Sequence, residues 1–374
     1  MVLILALFCS LVLSYWLSGL IQKFAIKSQI IDDPKSAPAR KRQKQPIPLL
    51  GGLGFTITAS LFVFILFLAS LVLPNFITNL DLKSINEIVP SLKNGNETLI
   101  KSMLAIPAEG FRLFWIFVSL FILTIVGYLD DKYHLSAKWQ LLSMIVYIVI
   151  ALLGANLVIT QLSYPFNQLI PDSYWLKFGL SFAWVLLCVN ATKLLDGLDG
   201  LVGLVGFTGF ILIASVSFLP GVSQALAGVV ALIWAFSLLG FLPYNFPNAK
   251  LYLGEGGSEV VGFMLAIFSL WSGAKVATVS MGIGLFILDI FLVMMLRLKQ
   301  KRNPFSSADR FHWHHRLIDL GLSKIQVLAI TAIFLVGFGA IGLALPTEYK
   351  IWLILSEILV LLSLLLWTNY SQEK

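Results

Sequence analysis

Two aspartates, Asp196 and Asp199, stand three residues apart among glycines in NATKLLDGLDGL, residues 190–201, at the end of a long apolar run. Asn190 opens that stretch and Lys193 lies one helical turn before Asp196. A second acidic pair, Asp130-Asp131, closes another apolar run, and Glu255 sits in the glycine-rich LGEGGSE, residues 253–259. HWHHRL, residues 312–317, gathers His312, His314 and His315 near Arg310 and Arg316. Carboxylates and glycines with few thiols suit a hard cation and phosphate oxygens. Mg²⁺ takes one or two carboxylates and completes its octahedron with water and substrate phosphate. If a helix begins at Asp196, a spacing of three puts both aspartates on one face. Gly197 and Gly200 permit close backbone approach by a bulky ligand. Backbone N–H groups in the LGEGGSE turn suit an anion. The His/Arg cluster supplies cationic donors for a diphosphate or a developing leaving-group charge.

Each piece also has a plainer reading. An aspartate pair at a helix end is often a solvated cap, and glycine-rich turns before apolar helices are common. His-x-His-His beside arginines could hold a transition metal, but no adjacent cysteine supports that. Asp289 falls within an apolar run, where an ionisable group is functional by default, or it pairs with Arg297, or it sits near the surface. Glu357 shares this ambiguity and has no evident partner.

The elements that must position these groups follow from composition. The chain has 374 residues, 58% hydrophobic and 12% charged, and apolar runs of about 20 residues, long enough to span a bilayer, recur throughout. They fall near 2–22, 49–73, 112–129, 141–158, 175–192, 201–219, 222–242, 259–272, 274–296, 325–344 and 349–367. This predicts an all-α polytopic membrane protein of about 11 transmembrane helices, a single integral-membrane unit over 1–374. The first run lacks a charged start and a cleavage site, so it reads as a retained span. Cys9 and Cys188 fall in or beside spans, which implies neither a disulfide framework nor a zinc site.

Lysine and arginine fix the expected orientation. Segment 23–48 holds Lys23, Lys27, Lys35, Arg40, Lys41, Arg42 and Lys44; segment 297–324 holds Arg297, Lys299, Lys301, Arg302, Arg310, Arg316 and Lys324. Both fall on one side, which is then cytoplasmic, and the N-terminus is outside. Basic segments at that surface also attract anionic lipid. On this count the loops carrying Asp130-Asp131, NATKLLDGLDGL, LGEGGSE and HWHHRL all face the cytoplasm, as do all four histidines, His134 among them. Four polar clusters far apart in sequence thus share one membrane face.

Together these stretches resemble the polyprenyl-phosphate N-acetylhexosamine-1-phosphate transferase family, glycosyltransferase family 4. RKRQKQPIPLLGG (40–52), GYLDDKYHLSAK (127–138), NATKLLDGLDGL, GFLPYNFPNAKLYLGEGGSEVVGF (240–263) and NPFSSADRFHWHHRLIDLGLS (303–323) follow the family's order over most of the chain. The last is similar to the undecaprenyl-phosphate N-acetylglucosamine branch more than to the muramoyl-pentapeptide branch. The resemblance implies transfer of a sugar 1-phosphate, most simply GlcNAc 1-phosphate, from a UDP-N-acetylhexosamine to undecaprenyl or another polyprenyl phosphate. UMP is released and a cell-envelope glycan begun, with Mg²⁺ (Mn²⁺ as an alternative), at the cytoplasmic membrane of a bacterium. It implies a homodimer in a lipid bilayer and no nucleic-acid partner. By residue, it implies Asp196 and Glu255 as metal ligands, with Asp199 in the same catalytic element. Asp130 and Asp131 would hold or deprotonate the lipid phosphate. Asn190 and Asn245 would support the nucleotide-sugar site, Tyr252 would face the uracil, and Arg310, His312, His314 and His315 the sugar or diphosphate.

Four positions depart from the family pattern. Lys193 stands for the usual Asn, Glu255 for Asp, Gln140 for a basic residue and Gln43 for His. Lys193 would either pair with Asp196 in place of the cation or grip a substrate phosphate. Glu255 has about 1.5 Å more reach than Asp, which Mn²⁺ or a shifted backbone would accommodate. The rival readings are a diverged homologue that binds carrier or nucleotide sugar without normal turnover, and a transporter or flippase. The latter would place ionisable groups near the midplane.

Overall fold

The computed structural model describes residues 2–36, 45–72, 109–159, 173–219, 222, 224–272, 312–346 and 349–372, with isolated positions between 284 and 301. Among these residues the chain is helical apart from one small hairpin. The helices are α1 (Val2–Lys27), α2 (Gly51–Val72), α3 (Gly110–Tyr133), α4 (Ala137–Gly154), α5 (Tyr174–Leu195), α6 (Leu201–Ser217), α7 (Ala225–Asn245), α8 (Glu255–Trp271), α9 (Trp313–Asp319), α10 (Lys324–Ala344) and α11 (Lys350–Gln372). Seven of them, α1 to α5, α7 and α10, are long and apolar enough to cross a membrane. A helix satisfies its own backbone groups, which apolar surroundings demand. The protein is therefore a polytopic all-α membrane protein. The expected span 274–296 and the loop 74–111 lie largely outside the described residues, as do Arg40, Gln43 and Arg310. Strands β1 (Ile31–Asp32) and β2 (Ile47–Pro48) pair antiparallel, Ile31 opposite Pro48.

Helix α8 is the centre of the bundle. The expected span at 259–272 begins earlier, at Glu255, and its residues Gly256–Ser269 are all buried. It packs on α5, α3, α6 and α2, and glycines set the closeness. A Cβ on Gly256 would stand 2.7 Å from the Cα of Gly127 on α3, and one on Gly257 would stand 2.8 Å from the Cα of Gly52 on α2. On the α5 side a Cβ at Gly262 would meet the Cys188 carbonyl at 2.5 Å. Small residues let backbones approach where lipid gives no hydrophobic push between helices. Helix α7 packs on α6, α1 and α2 beside this centre, and α10 closes on α6. The C-terminal ends of α1, α3, α5 and α7 and the N-terminal ends of α2, α4, α6, α8 and α10 lie at one end of the bundle.

Candidate active site

At that end α5 stops at Leu195, and DGLDG is a turn rather than the first turn of a helix. Gly200 takes φ +79° and gives its N–H to Asn245 Oδ1 at 3.1 Å; a side chain is strained at that φ. The turn sends its two aspartates different ways, so the expectation of one shared helical face is corrected. Asp199 Oδ2 accepts from Lys324 Nζ at 2.8 Å and from the backbone of Asn248 at 3.3 Å. It ties the turn to α10 and to the 246–251 loop. Asp196 stays open to solvent, yet it stands in a crevice walled by protein. That desolvation, then the charges of Glu255 and Asp199, pushes its carboxyl up to about 8.

Glu255 is the first residue of α8, and its side chain is 53% exposed. The N–H at this helix start meets an anion, but a protein one: Glu255 N donates to Asp131 Oδ1 at 2.8 Å. A Cβ on Gly254, at φ +79°, would collide with the other oxygen of the same carboxylate. The LGEGGSE glycines therefore serve helix crossing and the seating of Asp131, which corrects the expectation of a free anion nest. Asp130 is spent on structure. Its Oδ1 accepts from Leu135 N at 2.7 Å and its Oδ2 from Gln140 Nε2 at 2.8 Å.

Three of the four departures meet in one network. Lys193 Nζ donates to Glu259 Oε1 at 2.7 Å and to Gln140 Oε1 at 3.2 Å, and lies 3.3 Å from Glu255 Oε2. The expected pairing of Lys193 with Asp196 is not the one observed; its partners among the described residues are Gln140 and the two glutamates of α8. Glu259, overlooked in the sequence, is buried and also accepts from Tyr147 OH at 3.3 Å. Its signal was its place one turn after Glu255.

The histidines pack against the same turn. A Cβ on Gly197 would stand 2.9 Å from His315 Nε2 and 3.5 Å from His314 Nε2. His312 Nδ1–H donates to Asp289 Oδ2 at 2.8 Å, and Asp289 Oδ1 takes the Trp313 N–H at 3.1 Å. Asp289, buried in the bundle, is thus the anchor of the histidine segment. His314 is wholly buried between His312 and His315, and among the described residues its ring nitrogens have no hydrogen-bond partner. Burial, then the two neighbouring rings, lowers its pKa well below the usual value. The flanking Arg316 is lowered by burial too, against the opposing pull of Asp289.

Asn190 is exposed on the last turns of α5 and donates to Leu186 O at 2.8 Å. Asn245 is buried, accepting from Gly200 N and donating to Leu251 O, each at 3.1 Å. Tyr252 is held by its backbone between Pro48 O and Gly51 N. Its half-buried phenol is raised by burial, then by the charges of Asp199, Asp32 and Asp196. Among the described residues no three His, Cys, Asp or Glu side chains close on one ion. Two carboxylates, Asp196 and Glu255, share the mouth with exposed oxygens. That donor set fits a hydrated hard cation that takes the rest of its shell from water and substrate.

The sequence matches the family model described as glycosyl transferase family 4 over residues 113–273, from α3 through α8. A probable undecaprenyl-phosphate N-acetylglucosaminyl 1-phosphate transferase of Bacillus subtilis is 31% identical over 260 residues, 67% of this chain and 70% of that one. An undecaprenyl-phosphate alpha-N-acetylglucosaminyl 1-phosphate transferase of Thermotoga maritima is 25% identical over 335 residues, 89% of this chain and 88% of that one. A phospho-N-acetylmuramoyl-pentapeptide-transferase of Staphylococcus aureus is 29% identical over 246 residues, 59% and 71% of the two chains. With this likeness running through the helices that build the acidic mouth, the chain belongs to glycosyl transferase family 4.

Proposed function

We propose that the protein transfers N-acetylglucosamine 1-phosphate from its UDP-sugar to undecaprenyl phosphate. The observation that carries this is the pair of open carboxylates, Asp196 and Glu255, beside a glycine turn covered by histidines. Asp196 and Glu255 hold a divalent cation, Mg²⁺ or Mn²⁺, which when bound neutralises diphosphate charge. An oxygen of the lipid phosphate bonds to the sugar-bearing phosphorus, the bridging P–O bond breaks, and UMP leaves. Asp131, next to Glu255 through the 2.8 Å backbone bond, holds the acceptor phosphate and takes its proton where one is present. Asp130 positions Gln140. Tyr252 offers an aromatic face to the base, and His315 and His312 face the diphosphate and sugar. Asp199, Asn190 and Asn245 set the shape of the turn and loop around the donor.

The bundle lies in the bacterial inner membrane with about eleven crossings, N-terminus outside and the site facing the cytoplasm. The acceptor is too apolar to leave the bilayer and the donor too polar to enter it, so a site at the boundary is where they meet. The partnered state of Lys193 and Gln140 favours this reading over a non-catalytic homologue, because both serve the carboxylate wall rather than filling it. Purified protein given UDP-N-acetylglucosamine, undecaprenyl phosphate and Mg²⁺ is expected to release UMP and form a lipid-linked sugar. Asp196→Asn is expected to lower that rate by about 10³ without loss of fold. Absence of UMP with every UDP-N-acetylhexosamine, with Mg²⁺ and with Mn²⁺, refutes the activity.

A further inference from the structure

The Lys193 ammonium stands between two glutamates, and the two contacts are unequal. It is 2.7 Å from Glu259 and 3.3 Å from Glu255. Glu259 is 6% exposed and Glu255 53%. Spaced four apart, they lie on one face of α8. Glu259 is fixed from behind by Tyr147, and Gln140, which takes a further proton of Lys193, is fixed by Asp130. An ammonium offers three donors, and here the strongest goes inward, to the buried glutamate.

We propose that Glu259 is a positioning residue that draws the Lys193 ammonium inward, so that its contact with Glu255 stays the longer of the two and the half-exposed Glu255 carboxylate keeps an oxygen open to a divalent cation. The inference rests on Asp196 and Glu255 being the cation pair. A largely buried ammonium keeps a carboxylate partner wherever one is in reach, because an unpaired buried charge is costly. With Glu259 made neutral, the remaining carboxylate at Lys193 is Glu255, and the lysine becomes the cation's rival. With both charges removed, the rivalry ends.

The test is Mn²⁺ binding to the purified full chain in detergent, followed by electron paramagnetic resonance and needing no turnover. Glu259→Gln is expected to weaken Mn²⁺ binding about tenfold, and adding Lys193→Met to restore it to within about threefold of wild type. Lys193→Met alone is expected to bind at least as tightly as wild type. An unchanged affinity in Glu259→Gln, or a double variant as weak as Glu259→Gln, overturns the proposal. If Glu259→Gln does not fold, Lys193→Met decides alone: a tenfold weakening there makes the lysine a support for the site rather than a rival and overturns the proposal. Wild-type protein that binds no Mn²⁺ defeats the cation pair itself, whereas wild-type binding with an insensitive Glu259 variant defeats only the positioning role.

Discussion

His314 shows how a single residue's surroundings fix its behaviour. It is buried between two other imidazoles and, among the described residues, has no hydrogen-bond partner on either nitrogen, which disfavours its protonated form. Its folded-state pKa is lowered by burial and by His315 and His312, and Asp289 faces His312 rather than His314. The sign follows from linkage: a depressed pKa contributes stability above the unfolded value of about 6.5, and that stability is lost as pH falls below it. The detergent-solubilised protein is expected to lose up to about 2 kcal/mol from this one group between pH 7 and pH 5. In His314→Phe, unfolding temperatures measured across that range should fall less steeply. An equal slope in both proteins would show that the acid sensitivity comes from elsewhere. Residue chemistry was the most legible part of the sequence. The histidines, singled out by type and spacing, pack on Gly197 beside Asp196. What escaped was partnership. Glu259 and Asp289 sit inside apolar segments, and whether such an acid faces Lys193 or His312 depends on helix rotation, which a string of residues does not encode.

At the scale of elements, the placing of the site comes down to how α8 is seated. Its first residue is Glu255, and its first turn touches α3 through Gly127 and α2 through Gly52. The same glycines read in sequence as an anion turn, because a ligand and a neighbouring helix make the same demand for a missing side chain. The DGLDG segment misled in a similar way. A spacing of three suits a helical face, but α5 ends at Leu195 and residues 196–200 form a turn, which parts Asp196 from Asp199. A methyl group at Gly256 must displace α3 or α8 by several tenths of an ångström, and overpacking of this kind costs about 1–3 kcal/mol. Gly256→Ala is therefore expected to lower the unfolding temperature and, by shifting Glu255, to weaken both Mn²⁺ binding and UMP release. Gly179→Ala, on α5 with nothing within 4 Å of the added Cβ, is the control and should unfold at or slightly above the wild-type temperature. Equal melting of the two variants would mean that the α3–α8 crossing tolerates the methyl and does not set the position of Glu255.

The whole molecule is organised around one polar end of an apolar bundle. Among the described residues seven helices are long and apolar enough to cross a membrane, and the chain ends each of α1, α3, α5 and α7 at the site before turning back. This alternation brings the segments after Lys27, Tyr133, Leu195 and Asn245 to one end of the bundle. The proposed function puts that end in the cytoplasm, as the lysines and arginines of 23–48 and 297–324 lead one to expect, where a nucleotide sugar is available. Two positions separate the ends cleanly: Lys250, exposed in the loop before α8, and Trp175, 72% exposed at the far end of α5. With Cys9 and Cys188 replaced by alanine, Lys250→Cys should react with a membrane-impermeant maleimide only in inside-out vesicles. Trp175→Cys should react only in intact spheroplasts. The reverse pattern would put the acidic mouth outside, away from any nucleotide donor, and the transfer reaction would lose its substrate. Labelling of both from one side would break the alternation itself, and with it the argument that carboxylates so distant in sequence were brought to one pocket by the membrane.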